Sequence, residues 1–163
     1  MKKFIVSLIV ALAGIGAWFT LSSTEAAPNV TFTSLEGKQF QTSDLQGKVV
    51  LVKFWATNCV TCIQQMPDTI AYHNKYKEQG YDTIAVAMAY DPEPFVKNYT
   101  RDNKLPFTVT LDKDGSVAKA FDDIKFTPVS FLLDRQGNIV KRYIGNYDKA
   151  IFEKTLQDTL AKT

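Results

Sequence analysis

Apolar and polar positions alternate along this chain in two rhythms, and together they predict a set of short strands and helices. The run Val49-Val50-Leu51-Val52-Lys53-Phe54-Trp55-Ala56 is too continuously apolar for a half-exposed strand. It predicts a central strand buried on both faces, as in a parallel sheet. Thr57 and Asn58 then offer N-caps, and Ile63, Met66, Ile70 and His73 or Tyr76 recur at helical spacing. That helix should run to about Gln79 and stop at Gly80, with Pro67 bending it near Ile63. Upstream, Val30–Thr33 and Gln39–Gln41 flank a Gly-containing turn and predict a β-hairpin.

Downstream, residues 83–89 read as a second buried strand. Asp91-Pro92-Glu93-Pro94 opens a helix with Phe95, Val96 and Tyr99 facing inward, ending near Asn103. A strand over 107–111, a turn, and a short helix over 116–121 follow. Residues 128–133 and 138–144 form strands joined through Asp134-Arg135-Gln136-Gly137, a hairpin signal. An amphipathic helix over 148–160 closes the chain, with Ile151, Phe152, Thr155, Leu156 and Leu160 on its inner side. Parallel strands, then an antiparallel hairpin, with helices between them, predict an α/β sandwich.

The only two cysteines, Cys59 and Cys62, sit where the central strand hands over to its helix. A helix N-terminus presents unpaired N–H groups and a partial positive charge, which favours thiolate over thiol. Such placement lowers a cysteine pKa from about 8.5 to roughly 3.5–7.5. Cys62, three residues on, lies on the same helix face and close enough to close a disulfide. An accessible thiolate backed by a resolving thiol exchanges disulfides. The competing readings are a purely structural clip, which so short a loop makes a weak staple, and metal binding. Zinc generally takes four Cys or His ligands, and beyond the pair the chain offers only His73. Cu(I) accepts two thiolates, and Met66 would join them first.

Phe54-Trp55-Ala56-x-x-Cys59-x-x-Cys62, with Pro67 five residues later and Thr127-Pro128 further on, resembles the thioredoxin superfamily. More narrowly it is similar to the extracytoplasmic TlpA/ResA-like thiol–disulfide oxidoreductases. The likeness covers nearly all of the chain after its N-terminal segment. It implies a thioredoxin-like α/β sandwich over residues 27–163, with an N-terminal β-hairpin and a central strand–helix insertion between Met88 and Phe126. It implies a redox-active Cys59–Cys62 disulfide with no separate cofactor and no metal. It also implies a cis-proline at Thr127-Pro128 set against the disulfide, where a partner's extended chain docks. The activity implied is reduction of disulfides in extracytoplasmic partner proteins, with electrons from a membrane thiol protein. A disulfide oxidase or isomerase, and a Cu(I) metallochaperone for copper-site thiols, are the alternatives.

Four residues carry more specific expectations. Trp55 should pack beside the cysteines and shape the docking surface. Asn58 stands where thioredoxins carry Trp, making that flank smaller and more polar. Lys53 occupies the strand position at which thioredoxin holds a buried Asp. Burying its charge is costly, so it is expected to snorkel outward; otherwise it lies near the thiols and favours the Cys59 thiolate. Gln65 stands where the TlpA/ResA-like proteins often hold a Glu credited with tuning the thiols, and is expected to be a solvated helix residue. His73 lies too far along the helix to serve Cys59 as a base.

Charge changes the picture little: 19 Lys and Arg against 17 Asp and Glu give +2, no signature of nucleic acid or of a polybasic membrane patch. The N-terminus changes it more. Lys2 and Lys3 precede an apolar stretch over 4–21, and Ser22 to Ala27 supply small residues. Residues 1–26 thus read as a signal peptide cleaved after Ala26, or as an uncleaved membrane anchor. Either fate places the domain outside the cytoplasm, in a periplasmic or equivalent compartment.

Overall fold

The computed structural model describes residues 25–162, so the expected leader lies outside the described residues apart from its last two. The hairpin forms where the turn chemistry puts it: β1 (Thr31–Thr33) pairs antiparallel with β2 (Gln39–Gln41). A single 3-10 turn over Thr42–Leu45 leads into β3 (Val49–Trp55), whose seven residues are all buried. Helix α1 (Val60–Tyr76) follows and is continuous through Pro67; a 3-10 turn over Lys77–Gln79 then ends at Gly80 in the left-handed conformation.

Strand β4 (Tyr81–Ala87) begins directly after that glycine, two residues earlier than periodicity predicts. Next come α2 (Glu93–Asp102), β5 (Thr108–Leu111), the short α3 (Ser116–Ala120), β6 (Val129–Leu133), β7 (Ile139–Ile144) and α4 (Lys149–Leu160). The five-stranded sheet has the order β5-β4-β3-β6-β7. Strands β4 and β5 run parallel to β3, while β6 is antiparallel to it and β7 to β6. This is the thioredoxin-like α/β arrangement, with the hairpin and the α2–β5–α3 insertion that the sequence implies. The hairpin is stitched to the β5 edge by the Ser34–Thr110 bridge and by the Leu35 N–H to the Val109 carbonyl at 3.2 Å. At the other edge Ile139 N–H donates to the Glu25 carbonyl at 2.7 Å, so the first described residues are already part of the fold.

Because β3 is buried on both faces, its alternate side chains found two cores. Val50, Val52 and Phe54 join Phe32, Phe121 and Phe131 on one side, with rings 5.3–6.5 Å apart. Val49 and Leu51 pack with Tyr72, Tyr81, Phe152 and Leu156 on the other. Trp55 continues that second side beneath α1, against Cys62, Met66 and Val96. Two inward assignments fail by one helical step of about 100°. In α2 the buried stripe is Val96 with half-buried Tyr99, leaving Phe95 59% exposed. In α4 it is Phe152, Leu156 and Thr159, leaving Ile151 54% exposed.

Candidate active site

The N-cap of α1 is neither Thr57 nor Asn58 but Cys59 itself, whose Sγ accepts the Cys62 N–H at 3.1 Å. The Cys59 sulfur therefore occupies the place where a serine or aspartate oxygen ordinarily meets the free N–H groups. No acidic side chain stands in the first turn of α1 to oppose the partial charge there. Cys59 and Cys62 are joined as a disulfide with Cα atoms 5.2 Å apart. Cys59 is partly exposed and Cys62 fully buried. Asn58 is exposed beside them.

A second loop reaches the same end of the sheet. The β3–β6 register pairs Phe54 with Val129, which sets Pro128 level with Trp55, the last strand residue before the cysteine loop. The Thr127-Pro128 peptide bond is cis. Thr127 is half-buried, and its Oγ1 lies 3.3 Å from the Tyr90 hydroxyl. Val60, Tyr90, Phe126 and Ile144, which belong to or flank these loops, are all more than half exposed and give this end an apolar rim.

Trp55 does not belong to that rim. It is 0% exposed, its ring 5.3 Å from that of Tyr99, so it supports the cysteines from beneath and presents no surface to a partner. The reason is its strand position: side chains on β3 alternate between two covered faces, and neither opens to water.

Lys53 and Gln65 also depart from expectation. Lys53 does not snorkel; it is 0% exposed, because a strand in the middle of a covered sheet gives its stem no edge to reach. Its Nζ donates to Gln65 Oε1 at 2.7 Å. Burial pulls the Lys53 pKa from 10.5 down to about 8, with Asp68 pulling weakly the other way. Gln65, correspondingly, is not solvated: it is 7% exposed, and its Nε2 donates to the Gly145 carbonyl at 3.0 Å. The lysine thus lies under α1, in the layer that contains Cys62 and Met66.

Asp91 is a site residue that periodicity misses. Its carboxylate, 4% exposed, accepts from Thr57 N–H and from the Thr57 hydroxyl, both at 2.6 Å. It pins the segment two residues before Cys59. The sequence offers Asp91-Pro92 only as a helix opening, and nothing local links it to Thr57, 34 positions away. His73 is buried far along α1, where desolvation lowers its pKa despite Asp82.

Comparison with known proteins agrees with this geometry. The Redoxin family model matches residues 22–160. The chain is 38% identical over 131 residues to a thiol-disulfide oxidoreductase ResA of Bacillus cereus, covering 80% of this chain and 75% of that one. To the ResA of Geobacillus kaustophilus it is 30% identical over 159 residues, covering 92% and 90%. Among solved structures, a thiol:disulfide interchange protein of the thioredoxin family from Chlorobium tepidum superposes with a TM-score of 0.77 at 26% identity, covering 86% of this chain and 99% of that one. With the capped cysteine pair and the ResA likeness pointing the same way, the chain belongs to the Redoxin family, in its TlpA/ResA-like branch, and is a thiol–disulfide oxidoreductase.

Proposed function

We propose that the chain works outside the cytoplasm as a reductase of disulfides in partner proteins, with Cys59 as nucleophile and Cys62 as resolving thiol. The observation that carries this is the asymmetry of the pair: one cysteine, partly exposed, capping a helix with its sulfur, the other fully buried one turn behind it. In the reduced enzyme the Cys59 thiolate attacks a partner S–S bond. A mixed disulfide forms and the partner's other sulfur leaves as thiolate. Cys62 gives up its proton and attacks Cys59 Sγ; the Cys59–Cys62 bond forms as the mixed disulfide breaks. Two electrons have passed to the partner, and the enzyme is left as the disulfide. A membrane thiol protein restores the dithiol.

The other roles follow from position. Asn58 and Thr127 border the partner's extended chain, the buried Pro128 sets the Thr127 backbone behind them, and the exposed Val60, Tyr90, Phe126 and Ile144 receive apolar side chains flanking its cysteine. The buried ammonium of Lys53, under α1 beside Gln65, favours the Cys59 thiolate. Residues 1–26 deliver the domain across the membrane, as a cleaved signal or as an anchor over 4–21. The likeness to the ResA proteins supports disulfide exchange; the reducing direction is the part the potential decides.

The test is to express Cys62→Ser in the native compartment and identify what is trapped on Cys59. Extracytoplasmic proteins held by a reducible bond are expected. An untrapped Cys59, or a Cys59 that titrates like an ordinary thiol near about 8.5, would remove the basis for exchange. Direction is read from the reduction potential, expected nearer thioredoxin's value of about −270 mV than DsbA's of about −120 mV.

A further inference from the structure

The Gln65 side chain reaches two other elements at once. Toward β3, Oε1 accepts from Lys53 Nζ at 2.7 Å; toward the end of β7, Nε2 donates to the Gly145 carbonyl at 3.0 Å and stands 3.4 Å from Asn146 Oδ1. Gly145 in turn donates its N–H to the carbonyl of Pro128 at 2.9 Å, extending the β6–β7 ladder one step beyond Ile144. Three hydrogen bonds therefore run in series from a buried ammonium to the cis-proline beside the cysteines.

The chemistry of the two ends dictates what can stand between them. Lys53 Nζ only donates and the Gly145 carbonyl only accepts. A side chain joining them must accept at one tip and donate at the other, which a primary amide does. A carboxylate would serve the lysine and oppose the carbonyl, and an apolar side chain would serve neither. Lys53 also fixes which way round the amide stands. The loop held by this strut has its docking groups free: among the described residues, neither the N–H nor the carbonyl of Thr127 makes a main-chain hydrogen bond.

We infer that Gln65 is a specificity-determining positioning residue, an amide strut that holds the cis-proline loop at the height a polypeptide partner needs, oriented by Lys53. This deepens the exchange reading and rests on it. A small disulfide reaches Cys59 without using the loop; a protein disulfide lays its chain along Thr127, whose main-chain groups are free. Displacing the loop therefore penalises the second substrate selectively.

The experiment compares reduction of insulin with reduction of the small disulfide DTNB by the reduced full-length enzyme. In Gln65→Leu, the insulin-to-DTNB rate ratio is expected to fall about tenfold, the loss appearing in KM for insulin. Gln65→Glu, nearly isosteric and still able to accept from Lys53, is the second variant should the leucine protein fail to fold. It should show the same fall in ratio, with its rate profile displaced to higher pH because the added negative charge offsets the Lys53 ammonium and disfavours the Cys59 thiolate. A Gln65→Glu protein that keeps the wild-type ratio to within about twofold, well inside the loss expected for one hydrogen bond, overturns the inference and leaves the exchange reading standing. Wild-type enzyme that reduces neither disulfide overturns both.

Discussion

Lys53 Nζ and Gln65 Oε1 meet at 2.7 Å in the interior, the lysine with no exposed surface and the glutamine with almost none. A charge placed there lowers stability, and the pH dependence of that loss can be measured. The folded chain holds the lysine proton only up to about pH 8, the unfolded chain up to 10.5. Between those values the unfolded state binds more protons, so stability rises with pH; below about pH 8 the burial penalty is present in full.

Lys53→Met should therefore be more stable than wild type at about pH 7, by on the order of 2 kcal/mol after allowing for the orphaned Gln65 oxygen. The advantage should shrink as pH rises from 8 toward 10.5. Urea unfolding at both ends of that range reads it. A methionine protein less stable at neutral pH would mean that the buried amine stabilises the fold.

The same substitution bears on the chemistry. Removing a buried cation under α1 should raise the Cys59 pKa by roughly half a unit to one unit. Thiolate absorbance of the reduced protein across a pH series measures it. An unchanged titration would confine Lys53 to the strut.

Asp91 anchors the segment leading to Cys59 through two 2.6 Å hydrogen bonds to Thr57. Asp91→Ala strands a part-buried N–H and hydroxyl, and is expected to cost roughly 1–2 kcal/mol and to slow exchange. Asp91→Asn keeps an acceptor and should recover part of both. Denaturation curves and insulin reduction separate the two effects.

Gly80 offers a control far from the cysteines. Its φ is +87°, and a Cβ there would lie 2.7 Å from Arg135 Nη1, which itself donates to the Gly47 carbonyl at 2.8 Å. Gly80→Ala should destabilise by about 1–3 kcal/mol through the left-handed backbone and the displaced guanidinium. Exchange rates per folded molecule should not change.

Much of this molecule is readable from its sequence, and the readable parts share a cause. The hairpin, the strands and the Cys59–Cys62 placement are set by neighbours a few residues apart: turn glycines, β-branched runs, the strand-to-helix handover. What periodicity misreads depends on partners brought together by register. Lys53 is buried because β4 and β6 flank β3 on both sides, and Gln65 because β7 ends beside α1. Trp55 follows the same rule: its residue type suits a docking surface, its strand position forbids one. Phe95 and Ile151 show the smaller error, in which an apolar residue lies one step off a helix's inner stripe.

The amide between Lys53 and Gly145 has an evolutionary corollary. Positions 53 and 65 cannot drift separately, since a carboxylate at 53 would ask a different partner of position 65, and a carboxylate at 65 would abandon the Gly145 carbonyl. Aligned relatives should therefore fall into discrete classes at this pair of sites, amine with amide in one and acid-bearing combinations in others. Few single-step intermediates should survive between them.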